Sequence, residues 1–159
     1  MNTTSGEEFS KDGMNRFILW RLWDLNKPRC MFVGLNPSKA GSLKDDPTIK
    51  SVCRIAKSNG FGGVYMVNCF PHISTNPQDM KMVSESDDLL NREYIFRAWC
   101  RSEVVVFAWG NFQVVKDSGI LDFLTKNFPD AKAIAINKNG SPKHPLYCKS
   151  DSKLIDFNN

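Results

Sequence analysis

Two hydrophobic periods alternate along this chain, one of strands and one of helices. RCMFVGL (Arg29 to Leu35) is a short, nearly continuous apolar run, the pattern of a strand covered on both faces. In Asp45-Asp46-Pro47-Thr48, Asp46 is placed to cap a helix and Pro47 to occupy its first turn. That helix brings Ile49, Val52, Cys53 and Ala56 onto one face and stops at Asn59-Gly60. GVYMVN (Gly63 to Asn68) reads as a second strand. A polar loop containing Pro71 and Pro77 leads to a helix from about Asp87 to Cys100. EVVVFAW (Glu103 to Trp109) follows as a third strand, then a helix carrying Ile120, Leu121, Phe123, Leu124 and Phe128. AKAIAIN (Ala131 to Asn137) predicts a fourth strand running into the loop KNGSPKHPLY. NRFILWRLWD (Asn15 to Asp24) fits a short helix or an edge strand equally well. Residues 1–14 read as a flexible lead-in and 15–159 as a single domain.

Strands that alternate with helices imply right-handed crossovers. The expected fold is therefore α/β, a three-layer α/β/α arrangement around a central four-stranded parallel sheet. In such sheets ligands bind outside the carboxyl ends of the strands. Those ends are Gly34-Leu35-Asn36-Pro37-Ser38, Asn68-Cys69-Phe70-Pro71, Trp109-Gly110-Asn111, and Asn137 through His144-Pro145. An Asn stands at or just after each of them, whereas the opposite rim offers far less chemistry.

Composition narrows the picture without redirecting it. The chain has 159 residues, 42% of them apolar and 24% charged, enough for a real core. A net charge of +4 permits a polyanionic partner without requiring one. The five cysteines are scattered, none in a CxxC pair, and His72 and His144 are the only histidines, so no metal is expected. The start is polar and acidic rather than a signal peptide, and no stretch approaches transmembrane length. A cytoplasmic location without membrane contact is the expectation.

The strand-end motifs resemble those of the uracil-DNA glycosylase superfamily. Gly34-Leu35-Asn36-Pro37-Ser38 is similar to the Gly-x-Asn-Pro-Gly loop of its mismatch-specific branch. Val67-Asn68 resembles the strand end whose Asn reads the base, and Phe107-Ala108-Trp109-Gly110 a Leu-Trp-Gly strand end. His144-Pro145-Leu146 resembles a His-Pro-Ser-Pro-Leu loop that supplies a catalytic His and a Leu wedge. More closely, Arg16 to Tyr147 resembles a family of small bacterial and phage proteins catalogued as a domain of unknown function. Its pattern comprises Arg-x-Trp-Asp, Leu-Asn-Pro-Ser, Asp-Asp-Pro-Thr, Val-Asn-x-Phe, Ala-Trp-Gly and Gly-x-Pro-x-His-Pro-Leu-Tyr, all present here.

The superfamily resemblance implies strand order 2-1-3-4 and hydrolysis of the N-glycosidic bond of a modified or mismatched base in DNA, a repair or modification activity. The base would be extrahelical or single-stranded, and no cofactor would be required. Asn36 would orient water and His144 would stabilise the leaving base. Asn cannot act as a strong base, so the chemistry would rest on electrostatic help to the leaving group. Asn68 offers a carboxamide to a base edge, and Phe70 and Trp109 are candidates for stacking on it. Gly34, Leu35, Pro37, Ser38, Gly110, Pro145 and Leu146 complete the expected substrate-binding set. Lys138, Lys143, Lys149 and Lys153 lie near His144 in sequence and favour anions.

Two alternatives fit the same residues. One is a non-catalytic module that binds nucleic acid, a nucleotide or a partner protein, and the other is a small nucleoside or nucleotide hydrolase. Asp46 and Thr48 read as a structural helix start, with Asp45 a lesser candidate for the site. Cys69 with His72 is a weaker nucleophile pair, because no third group orients it.

Overall fold

The computed structural model describes residues 4–38, 45–76 and 84–157. Pro77, placed by the sequence in the polar loop, lies outside them. The strands are β1 (Thr4–Phe9), β2 (Arg16–Leu22), β3 (Arg29–Gly34), β4 (Gly63–Asn68), β5 (Val104–Phe107), β6 (Lys132–Ala133) and β7 (Ile155–Asp156). The helices are α1 (Pro47–Ser58), α2 (Glu85–Cys100), α3 (Gln113–Asp117) and α4 (Ile120–Asn127), and a 3-10 turn spans Pro145–Tyr147. No helix among the described residues is long and apolar enough to cross a membrane.

The strands form one mixed sheet in the order β1-β2-β4-β3-β5-β6-β7. β4, β3, β5 and β6 run parallel to their neighbours. β1, β2 and β7 join antiparallel. The expected four-stranded parallel sheet is thus a seven-stranded mixed one. Its added strands come from segments that the apolar pattern under-reads. Arg16–Leu22 is an interior strand between β1 and β4, neither a helix nor an edge. Thr4–Phe9, expected as lead-in, is the strand that covers it. β1 is polar along most of its length, so its pairing is dictated by the partner strand rather than by its own alternation. The fourth expected strand is shorter than Ala131 to Asn137, because the chain leaves the ladder after Ala133.

Alternation through the sheet builds two cores. Met31, Val33, Tyr65, Val67, Val105 and Phe107 face one side, with Ile95 of α2 and Leu124 of α4. Cys30, Phe32, Val64, Met66 and Val106 face the other, with Ile49, Val52 and Ile55 of α1. Consecutive residues of β3 therefore point alternately into two helical layers, which explains its unbroken apolar run.

Local signals fix the helix ends. Asp46 accepts from the Ile49 N–H at 2.8 Å and Pro47 occupies the first turn. Ser84 caps α2 by accepting from the Asp87 N–H at 3.2 Å, and three acidic residues stand in its first turn. From β3 the chain crosses to β4 on one side, and from β5 it crosses to β6 on the other. The crossovers therefore diverge between the adjacent carboxyl ends of β3 and β5, which opens a crevice there.

Candidate functional site

A cleft of ≈ 670 Å³ occupies that crevice. Gly34, Leu35 and Asn36 wall it from β3, Asn68 from β4, and Ala108, Gly110 and Phe112 from β5. Lys143, His144, Leu146 and Tyr147 close the side beyond β6. The volume suits a small organic ligand.

Asn36 is held by the main chain around it. Its Nδ2 donates to the carbonyls of Ser74 at 2.6 Å, Pro37 at 3.1 Å and His72 at 3.4 Å. The loops after β3 and β4 are tied together as well, through Phe70 N–H to Leu35 O at 3.0 Å and Ser74 N–H to Pro37 O at 3.2 Å. With Nδ2 committed, the group left for a ligand or water is Oδ1, an acceptor with no hydrogen bond among the described residues.

Asn68 ends β4 and is only 3% exposed, yet it lines the cleft. Its side-chain amide makes no hydrogen bond among the described residues and opens onto the cleft. Gly34 makes room for it. A Cβ at residue 34 would lie 2.9 Å from Asn68 Oδ1 and 2.6 Å from Met66 Cε. From below, Asn91 of α2 donates to the main-chain carbonyl of Asn68 at 2.9 Å and that of Cys69 at 3.3 Å.

His144 is half-buried and caps the 3-10 turn, its Nδ1 accepting from the Leu146 N–H at 3.2 Å. The neutral ring therefore carries its proton on Nε2, as a donor. Burial lowers its pKa, opposed by the nearby Asp46 carboxylate, so the neutral form is favoured at physiological pH. The loop that bears it is braced by Lys143 N–H to Ala135 O at 2.8 Å and Gly110 N–H to Pro142 O at 2.9 Å. Gly110 has φ +81°, and a Cβ there would lie 3.4 Å from His144 Cβ. A side chain at this position would strain the turn and crowd the histidine.

Ser38 also lines the cleft and donates to Asp46. Asp46 thus links the first loop to the start of α1 beneath it. Asp45 does not line the cleft. It is engaged by Arg21, whose Nε lies 2.9 Å and Nη2 2.8 Å away.

Asn36, Asn68 and His144 are brought to one cleft, with Gly34, Leu35, Ser38, Gly110 and Leu146. Four expected contacts are not. Phe70 is buried in the core on the α2 side. Trp109 is buried there too, its ring centroid 4.7 Å from that of Phe107. Strand alternation is the cause: Val105, Phe107 and Trp109 share one face, whereas Ala108 and Gly110 line the cleft. Pro37 and Pro145 are buried and shape their turns without lining the cavity. Of the four lysines near His144, Lys143 alone lines it. The Cys69 thiol is fully buried and burial pushes its pKa up, so it does not serve as a nucleophile.

Sequence reasoning missed several residues of the site, four of which bear on its chemistry. Phe112 and Tyr147 are the aromatic side chains that line the cleft, and Tyr147 is 75% exposed at its mouth. Asn91 positions Asn68 from a helix whose pattern marks it only as an interruption. Arg16, 6% exposed, also lines the cleft.

No curated protein and no solved structure matches the chain. A family model described as "Protein of unknown function (DUF1643)" matches residues 16–146, a span that holds the cleft residues apart from Tyr147. The chain belongs to that family.

Proposed function

We propose that the cleft receives a nucleobase and that the protein hydrolyses the N-glycosidic bond of a modified or mismatched base presented outside a helix. The observation that carries this reading is the pairing of two groups across one cavity. The Asn68 carboxamide opens onto the cleft without a partner among the described residues, and His144 has a neutral ring with Nε2–H available. A carboxamide offers both a donor and an acceptor, which matches a base edge. A neutral imidazole donor suits a carbonyl oxygen on which negative charge develops as the base departs.

In this reading the C1′–N bond breaks with its electron pair going to the base. The sugar passes through an oxocarbenium-like state, and water adds to C1′ and gives up a proton to solvent. Asn36 Oδ1 accepts from that water and orients it without removing its proton. Leu146 and Tyr147 at the mouth would contact what surrounds the base. The parallel order β4-β3-β5-β6, with the motif loops at its carboxyl ends, supports a uracil-DNA glycosylase-like fold.

Oligonucleotides that carry a panel of modified bases, single-stranded and mismatched, test it after alkaline cleavage. Base release is expected from at least one. Asn36→Ala and His144→Ala should each slow it by about tenfold to a hundredfold, the scale of losing one positioned group. Full rates in both variants would exclude the mechanism. Binding without release would favour a non-catalytic nucleic-acid module instead.

A further inference from the structure

Arg16 opens β2 and is almost wholly buried, yet it lines the cleft. A guanidinium has five N–H donors in a rigid fork. Here none of them makes a hydrogen bond among the described residues. The ionic partner of Arg16 among those residues is Glu7, with 3.6 Å between Nη1 and Oε2, beyond direct hydrogen-bond range. Glu7 Oε2 is itself buried and lacks a hydrogen bond among the described residues. The fork opens onto the cleft instead of onto a protein acceptor, and a charged donor set held in a cavity wall points to an acceptor that arrives from outside.

The chemistry of that acceptor follows from the fork. Parallel N–H groups match an anionic oxygen pair far better than a single carbonyl. Lys143 adds a second positive group to the same cleft. The Asp46 carboxylate lies on the cleft too and its charge acts on Arg16, but its oxygens are held by the Ile49 N–H and the Ser38 hydroxyl rather than by the guanidinium.

We propose that Arg16 anchors a phosphate monoester, so that the cleft takes a base on a sugar with a terminal phosphate. Two sources share this chemistry, a free nucleoside monophosphate and the phosphorylated end of an oligonucleotide. A diester would have to leave a deeply buried guanidinium by a second continuing strand, whereas a terminal phosphate need not. The proposal rests on the base-binding reading above and gives that ligand its anionic end.

Titration calorimetry on the full chain tests it without any need for turnover. The probes are deoxynucleosides against their 5′- and 3′-monophosphates, short oligonucleotides with and without a terminal phosphate, and inorganic phosphate alone. At least one phosphorylated member should bind about tenfold or more tightly than its partner, the scale of one charged hydrogen-bonded pair. Preference among mononucleotides identifies the free nucleotide as the source, and preference confined to oligonucleotides identifies the strand end. Arg16→Gln should erase the preference and Arg16→Lys should keep part of it. Glu7→Gln should strengthen it by removing the competing carboxylate.

Equal affinities within every pair, no binding of any phosphorylated probe, or a preference that survives in folded Arg16→Gln would overturn the proposal. Should Arg16→Gln fail to fold, Glu7→Gln decides: tighter phosphate binding supports the anchor and unchanged binding overturns it. The two readings fail separately. An Arg16-dependent preference without base release removes the hydrolytic reading alone, and base release without any phosphate preference removes the anchor alone.

Discussion

Asn91, enclosed within α2, donates its side-chain amide to the main-chain carbonyl of Asn68, 2.9 Å away at the end of β4. The helix on one face of the sheet thereby sets the position of a cleft residue on its rim. Asn91→Leu leaves two carbonyls without this donor, and the expected loss is about 1–3 kcal/mol of stability, the usual consequence of unpairing buried polar groups. Chemical denaturation of both proteins measures it. Ligand affinity should fall in the folded variant as well, whereas a purely structural role would leave affinity intact.

Gly34→Ala tests the close approach on the other side of Asn68. The added methyl meets Asn68 Oδ1 at 2.9 Å and Met66 Cε at 2.6 Å unless both give way. Met66 is flexible and can yield, but the carboxamide has to rotate or shift. The fold should survive with a loss of about 1–3 kcal/mol, as for small overpacking changes. Base or nucleotide affinity, read by calorimetry, should drop more than stability does.

The pH behaviour of His144 has a definite sign. Burial lowers its pKa in the folded protein from the ordinary 6.5. Between the folded value and 6.5 the unfolded chain binds more protons, so stability rises with pH through that window. The His144 contribution is accordingly lost as pH falls below 6.5. NMR titration of the two histidines should show His144 with a midpoint below 6.5. Base release should persist at pH values where an unperturbed imidazole is already half protonated. A His144 midpoint above 6.5 would contradict the assignment of a neutral donor.

The cysteines should separate by reactivity. Cys30 and Cys69 are buried and burial pushes both thiols up, and Cys53 is pushed up to about 11 by burial as well. Cys100 at the end of α2 is exposed. A thiol-specific reagent at neutral pH should label Cys100 first in the native protein. Cys30 and Cys69 should react only when denaturant opens the core. Mass mapping of the labelled peptides resolves the order.

Much of the cleft is written in local patterns. The Asp46-Pro47 helix start, the buried strand of Arg29 to Gly34, and an Asn at each strand end rest on short-range chemistry, and the folded chain keeps these elements. Trp109 departs from its expected place on the cleft because register overrides motif. Two residues after Phe107 along an extended chain, it has to share that residue's face. Arg16 was hidden for a different reason. Nothing local marks it, and its place in the cleft depends on β2 joining β4, with Arg16 N–H donating to Pro71 O at 2.9 Å. That antiparallel pairing links segments some forty residues apart, and no period within either reports it.

The added antiparallel strands have a consequence for behaviour in crowded solution. Open sheet edges invite pairing with other chains, and long apolar strands are the worst offenders. In this sheet β3, β4 and β5, the most apolar strands, each have neighbours on both sides. The outermost positions fall to β1, which carries Glu7 and Glu8, and to β7, which is two residues long. Chains that lost β1 would expose β2, with Phe17, Ile18 and Leu19 in its ladder, as a new border. Such chains should self-associate at concentrations where the intact protein stays dispersed.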